Sequence, residues 1–414
     1  MAADPALAYD RLLIGSPLRR TPVAIAVALV LAGLIALVVQ NFLGMLAGMG
    51  GELALVFFAA LAAASAFSVV PIAILWYLDR RERETPWLFA AAFLWGAFIA
   101  TGLAIPANAA IFTVIENWVA RNPVIEQVLG EEATLLIVAP IAGPLVEEVT
   151  KGLGLLLLFW FLRAEFDGMR DGFVYGALIG AGFTWLEAPL YVAQGYAEFG
   201  TAPWGLQLGW RYALFGLSGH AMFTGLFGAF LGLALQTRRV WLKWLAPVAG
   251  MALAIAAHAL NNVIPLLFAL ADAEAGKAPA TKEPPPDIGL VTAWLQGSLA
   301  DLTLFLPFTA LMAFLLWRSG RWERQVIREE LADEVDPIVS RAEYVAIRGD
   351  RMFRTRRIDR LHPRHSAAIV EAQHELAFRK RRVKDEGGHP DADRLVSAWR
   401  AEIERLRSLE HLHA

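Results

Sequence analysis

The chain has 414 residues, of which 57% are hydrophobic, with a mean hydropathy of +0.47 and a net charge of −3. The apolar residues come in blocks of twenty or more, which excludes an ordinary soluble enzyme and indicates a polytopic helical membrane protein. The chain has no cysteine, so disulfides, thiolate metal sites and a cysteine nucleophile are excluded.

The apolar blocks predict about eight membrane-spanning helices, because a helix needs about 20 residues to cross a bilayer. They lie at 22–44, 53–78, 87–114, 134–162, 172–193, 206–236, 244–270 and 290–317. We therefore predict an all-α membrane protein with three parts. A cytosolic segment covers 1–21, an eight-helix transmembrane domain covers 22–317, and a charged, helical cytosolic domain covers 318–414.

The loops between these helices carry a charge bias that predicts their orientation. One side has basic clusters within 11–20, 80–83, 163–170 and 238–243, followed by the basic tail, whereas the other side has few basic residues. By the positive-inside rule, both termini are cytoplasmic and the protein is a multi-pass protein of the cytoplasmic membrane.

The tail 318–414 holds 39 of the 77 charged side chains. Asp336-Pro337 is typical of a helix start. A last amphipathic helix is predicted from apolar residues on one face, namely Leu395, Trp399, Ile403 and Leu406. We expect a small helical domain that packs on itself or on a partner and has no catalytic residues.

The fourth predicted helix carries Glu147, Glu148 and Lys151 at its centre. Each such charge costs about 2.5–3.5 kcal/mol on insertion scales, against about 0.5 kcal/mol gained per Leu or Ile. Charged residues that are retained despite this cost are typical of functional sites.

The next three predicted helices each add one such residue, namely Glu187, His220 and His258. A helix rises 1.5 Å per residue, so each of these three residues and Glu147 lies roughly 20 Å from the membrane surface at which its helix begins. All four are therefore near one plane. Two carboxylates and two imidazoles in one plane can bind and deprotonate water, or donate hydrogen bonds to an oxyanion.

Each residue also has a structural interpretation. Glu148 and Lys151 can form only an ion pair, Glu187 can be a hydrogen-bond acceptor, and each histidine can pack between helices. Asn262 lies four residues after His258 on the same helix face and can orient either a backbone group or a substrate. Arg211 and Asp301 are expected to form other pairs or to contact headgroups.

Five motifs carry a resemblance to a known family. They are EExxK at Glu147–Lys151, DGxxYG at Asp171–Gly176, GxGFxxxE at Gly180–Glu187, GHAxFT at Gly219–Thr224 and HxxxN at His258–Asn262. In this order and spacing they resemble the PrsW family of intramembrane proteases over about residues 135–270, the motif core. That family is related to the type II CAAX prenyl endopeptidases, which carry EExxxR and FxxxH instead.

The resemblance implies hydrolysis of a peptide bond within the membrane. It gives Glu147 as general base on water, with Glu148 assisting and held by Lys151. It also implies that Glu187 and His220 position the water and that His258 and Asn262 stabilise the oxyanion. Phe183 would support the site.

Relatives have been described both as glutamic proteases and as metalloproteases. If a metal acts, Glu147, Glu187, His220 and His258 are the expected Zn²⁺ ligands. We favour metal-free water activation, because the sequence has no compact metal-ligand motif. The implied partners are a membrane-anchored protein substrate, for example a signalling regulator, and the lipid bilayer, with no nucleic acid.

Two features bear on the substrate. The family has Asn after the FxxxE glutamate, whereas Ala188-Pro189 follows here, and the proline predicts a bend or an end of the helix. Gly172, Gly176 and Gly180 predict a groove that, with this break, would admit a substrate helix.

Two other functions would use the same polar residues. One is a proton- or cation-coupled transporter and the other is a catalytically silent scaffold that binds membrane helices. The lack of internal repeats disfavours the first, and the intact glutamate pair disfavours the second.

Overall fold

The computed structural model describes residues 16–81, 86–130, 133–162, 166, 168–274, 288–350 and 363–410. Most of the predicted outer loop after the seventh helix, and most of the N-terminal segment, lie outside this range. Within it the chain is helical, and extended pairing is limited to an isolated bridge between Val335 and Val339. The prediction of an all-α membrane protein is confirmed.

The helices are as follows. They are α1 Thr21–Gly48, α2 Gly51–Leu78, α3 Pro86–Ala120, α4 Pro123–Leu129, α5 Ala133–Phe161, α6 Met169–Phe199, α7 His220–Gln236, α8 Val240–Glu274, α9 Leu290–Leu304, α10 Leu306–Glu330, α11 Arg341–Arg348, α12 Pro363–Asp385 and α13 Arg394–Glu410. Within α3, Trp95–Ala100 is π-helical.

Six of the described helices are long and apolar enough to cross a membrane, and α9 with α10, bent by 79°, can make a seventh. The count of eight is therefore not confirmed.

The prediction of one continuous helix over 206–236 is wrong. A π-helical turn at Gly205–Gly209 gives way to left-handed backbone at Leu214 and Phe215, with φ of 45° and 60°. Left-handed residues cannot continue a right-handed helix, so α7 starts only at His220. The break is held by α9, since the Leu214 amide donates to Ser298 Oγ at 3.1 Å.

Helix α6 lies at the centre of the membrane domain. Of its most apolar 18 residues 83% are buried, against 6% for α1. Its glycines permit contact with α7, because a Cβ at Gly172 would lie 2.0 Å from the Gly228 carbonyl oxygen and one at Gly180 would lie 2.1 Å from that of His220. The predicted glycine groove is thus filled by α7, which overturns the expectation that it admits a substrate helix.

The predicted end of the helix at Pro189 is wrong, because α6 continues to Phe199. A proline removes one backbone hydrogen bond. The helix tolerates this loss where it is packed on other helices, and Ala188 and Val192 beside the proline are fully buried.

The tail has a core of its own. Helices α10, α12 and α13 meet around Leu331, Leu376 and Val396, all fully buried. The apolar face predicted for the last helix is confirmed, because its four residues are all less than 5% exposed. Asp336-Pro337 does not start a helix, since α11 begins after Ser340, whose side chain accepts a hydrogen bond from the Glu343 amide.

The tail contacts the membrane domain through buried charges. Glu323 on α10 lies 2.6 Å from Arg170 at the start of α6 and 3.5 Å from Arg81 after α2. The buried His374 on α12 donates from Nδ1 to the Arg81 carbonyl oxygen at 2.8 Å. Helix α10 runs through residue 317, so the membrane domain continues into the tail without a loop.

Candidate active site

Four helices bring the predicted polar residues together inside the membrane domain. Helix α5 supplies the two glutamates and the lysine, α6 supplies Glu187, α7 supplies His220 and α8 supplies His258. All six side chains belong to residues that are no more than 9% exposed. The rings of the two histidines are 4.8 Å apart.

Lys151 lies at the middle of this cluster and is completely buried. Its Nζ is 2.9 Å from Glu148 Oε1, 3.4 Å from Glu147 Oε2 and 2.9 Å from His220 Nδ1. It also lies 3.8 Å from the centre of the Phe183 ring. An ammonium group donates only, so His220 Nδ1 is an acceptor here.

Glu148 is held from three sides. Besides Lys151, it accepts hydrogen bonds from His258 Nδ1 at 3.0 Å and from Thr224 Oγ1 at 2.9 Å. A carboxylate only accepts, so His258 carries a hydrogen on Nδ1, and its Nε2 is an acceptor while the ring is neutral.

Glu147 makes longer contacts than its neighbour. Its Oε1 accepts from Asn108 Nδ2 on α3 at 3.2 Å, and its Oε2 lies 3.8 Å from His258 Nε2 as well as 3.4 Å from Lys151. Two acceptor atoms therefore face each other at a separation that a water molecule can bridge.

Glu187 belongs to a second chain of contacts. Its Oε2 accepts from His220 Nε2 at 2.9 Å and from Arg211 Nη1 at 2.6 Å. His220 thus connects the lysine with Glu187, and both of its nitrogens are engaged. The guanidinium of Arg211 also stacks on the Tyr191 ring, 4.4 Å from its centre.

Asn262 lies beside the cluster but does not contact its carboxylates directly. Its Nδ2 donates to the Ala139 carbonyl oxygen at 2.9 Å. A Cβ added at Gly143 would lie 3.6 Å from Asn262 Nδ2 and 3.7 Å from Glu147 Oε1. The amide and the glutamate therefore border the same space above Gly143.

Three residues of the site were not assigned to it from the sequence. Asn108 and Arg211 bind the two catalytic candidates Glu147 and Glu187, and Thr224 binds Glu148. Thr224 stands in the GHAxFT motif, and Asn108 is a polar residue inside an apolar span, so both gave a signal. Arg211 was expected to form another pair or to contact headgroups, and it was not assigned to the site.

His220 does not lie within an unbroken helix, as its predicted depth required. It is the first residue of α7 after the left-handed segment. Asp301, which was expected to form another pair or to contact headgroups, is 8% exposed on α9.

A metal ion could be held by three of these residues. One ligand atom each from Glu147, His220 and His258 lies within 4.8 Å of the others. The hydrogen bond from His258 Nδ1 to Glu148 is the kind that orients zinc-binding histidines. Glu187 is not in this group.

Comparison with known proteins identifies the domain that holds this cluster. Residues 84–275 match the family model described as PrsW family intramembrane metalloprotease. No curated protein and no solved structure matches the chain significantly. The matched range contains all five motifs and all the site residues named above. Over this range, which is less than half of the chain, the protein is similar to the PrsW family, and this similarity supports intramembrane proteolysis as its activity.

Proposed function

We propose that the chain is an endopeptidase that hydrolyses a peptide bond of a membrane-anchored protein by means of water activated by Glu147. The observation that carries this proposal is the 3.8 Å separation of Glu147 Oε2 and His258 Nε2. A water molecule about 2.8 Å from each atom, to one side of the line that joins them, could donate one hydrogen bond to each.

The first step transfers a proton from this water to Glu147. The water oxygen forms a bond to the substrate carbonyl carbon, and the carbonyl electron pair moves onto its oxygen. Asn108 Oδ1 is buried, has no hydrogen-bond partner among the described residues and belongs to the side chain that contacts Glu147. It can therefore accept a further hydrogen bond from the substrate amide or from water.

The oxyanion formed in this step needs a hydrogen-bond donor. Asn262 has one amide hydrogen left besides the one bound to the Ala139 carbonyl oxygen. We assign this role to Asn262, and we assign His258 to the water, because a neutral ring with Nδ1–H has no proton on Nε2. The proton on Glu147 then passes to the amide nitrogen as the carbon–nitrogen bond breaks.

The remaining polar residues position these groups. Glu148 holds His258 in one tautomer and balances the charge of Lys151. Glu187 and Arg211 fix the ring of His220, whose other nitrogen receives Lys151. Such prearranged charges act strongly in a site that excludes bulk water.

Zinc is the second candidate, favoured by the family description and by the cluster of Glu147, His220 and His258. When bound by these three residues, zinc would supply Lewis-acid activation of a water. The donor types fit zinc, but the position of Lys151 does not. Its Nζ is 2.9 Å from His220 Nδ1, and Glu187 engages the other ring nitrogen. Zinc binding therefore requires one of these contacts to break, and we favour the metal-free reaction.

The proposal includes an orientation and a location. We place both termini in the cytoplasm and the protein in the cytoplasmic membrane, on the basis of the basic loops. The substrate would be a single-pass or tail-anchored protein, for example a signalling regulator.

Cleavage of single-pass reporter helices by the purified protein in detergent tests the proposal. We expect the wild type to cleave and the variants Glu147→Ala, Glu187→Ala and His220→Ala to be inactive or strongly impaired. Equal cleavage by all four proteins would end the protease proposal. Loss of wild-type cleavage with a chelator, together with metal in the purified protein, would replace the metal-free mechanism with the zinc one.

A further inference from the structure

A second pocket lies on the opposite end of α7 from His220. It has a volume of about 520 Å³ and is formed by the connection between α7 and α8, the α10 residue Trp322 and the last turns of α12. Pockets that bind small molecules have volumes of about 300–1,000 Å³. The pocket is therefore large enough for a ligand and is separate from the candidate active site.

The lining of this pocket is strongly basic. Its five cationic residues are Arg238, Lys243, Arg381, Arg382 and Lys384, against two carboxylates. One of these carboxylates, Asp385, is shared by Arg238 at 2.9 Å and Arg381 at 3.2 Å. Two glutamates outside the lining also pair with these cations, Glu330 with Lys384 at 2.6 Å and Glu329 with Arg381 at 3.4 Å. The positive charge that remains favours an anionic ligand.

Neighbouring side chains indicate where the pocket lies relative to the membrane. Trp241 and Trp244 on the first turns of α8 are 58% and 77% exposed, and Val248 one turn later is 66% exposed. Exposed tryptophans next to exposed aliphatic residues are typical of the membrane–water interface. Lys243, which lines the pocket, lies between the two tryptophans, so the pocket is at the level of the lipid headgroups.

The pocket also has an apolar wall. Trp322 on α10 and Phe378 on α12 line it with rings 6.1 Å apart. A ligand with a charged group and an apolar stem can use both surfaces.

We propose that this pocket binds a phosphate-bearing ligand, supplied by the headgroup of an anionic phospholipid. Arginine forks and lysine ammonium groups together match phosphate oxygens. Basic pockets at the cytoplasmic ends of membrane helices are suited to anionic headgroups. Because the pocket joins the α7–α8 connection to α12, a bound lipid would contact the membrane domain and the tail at once.

Native mass spectrometry of the full chain from membranes containing phosphatidylglycerol and phosphatidylcholine tests this proposal. We expect wild type to retain phosphatidylglycerol in preference to phosphatidylcholine. The double variant Lys243→Gln/Arg382→Gln should bind it at least about tenfold more weakly, since each basic residue near a headgroup contributes. Arg239→Gln is the matched control, because Arg239 is exposed in the same connection but does not line the pocket.

Equal retention of phosphatidylglycerol by the double variant and wild type would overturn the proposal, as would an equal loss in Arg239→Gln. If the double variant fails to fold, Lys243→Gln alone replaces it, with a smaller expected loss. Titration of delipidated protein with pyrophosphate distinguishes the source of the phosphate. Variant-sensitive pyrophosphate binding without retained phosphatidylglycerol would show a soluble ligand and overturn the lipid assignment.

Discussion

The two adjacent glutamates are expected to respond in opposite ways to the same substitution. Glu148→Gln should destabilise the protein, whereas Glu147→Gln should abolish cleavage and leave the protein folded. The reason is their contacts. Glu148 accepts three hydrogen bonds of 2.9–3.0 Å, and Glu147 has polar contacts of 3.2–3.8 Å.

The expected magnitudes follow from these distances. Removing the charge of Glu148 breaks a fully buried ion pair with Lys151, which costs about 3 kcal/mol or more. The amide also places a donor where an oxygen accepted from Thr224. The longer contacts of Glu147 contribute about 1 kcal/mol of stability. Loss of a general base lowers the rate by about 10²–10⁴-fold.

The measurements are the unfolding midpoint in detergent and the rate of reporter cleavage at a temperature where every variant is folded. Glu198→Gln is the control, because Glu198 is exposed on the last turn of α6. It should change neither quantity.

The reverse pattern would contradict these roles of the two glutamates. A Glu148→Gln protein that is as stable as wild type but inactive would make Glu148 the base. A Glu147→Gln protein that cleaves at the wild-type rate would remove Glu147 from the chemistry.

Two further predictions concern packing and pH. Gly180→Ala should lower the stability of the membrane domain by about 1–3 kcal/mol or more, because its Cβ would lie 2.1 Å from a backbone oxygen, whereas Gly44→Ala, with open space around it, should not. In the tail, burial lowers the pKa of His374 to about 4, so the folded protein favours the neutral imidazole. The free energy of unfolding is therefore highest above about pH 6.5 and falls as the pH drops towards 4. The opening free energy of α12, measured by hydrogen exchange, should differ by about 2 kcal/mol between pH 8 and pH 5. This difference should vanish in His374→Asn. An unchanged difference in that variant would contradict the effect of burial on His374.

Much of the candidate site could be predicted from the sequence because charges inside apolar spans are costly. Glu147, Glu148 and Lys151 are visible for this reason alone, and the motif order relates them to His258. The structure places Lys151 within hydrogen-bond distance of both glutamates and His258 within hydrogen-bond distance of Glu148. The helical class followed in the same way from the long apolar blocks.

The break before α7 could not be predicted from hydropathy. An apolar segment has the same hydropathy whether it forms a straight helix or a turn with left-handed residues. The residue type of Leu214 does not predict its positive φ. For the same reason the partner of Arg211 was missed, because the fold of this segment determines that it meets Glu187. The role of the α6 glycines depended on a neighbour, α7, that periodicity does not identify.

The central claim is tested most directly by the mass of the cleavage products of a single-pass reporter in metal-depleted proteoliposomes. We predict that wild type cuts a bond within the apolar span of the reporter and that folded Glu147→Gln yields no product. Cleavage of the same bond by Glu147→Gln at the wild-type rate, or cleavage by wild type that requires added zinc, would contradict the account.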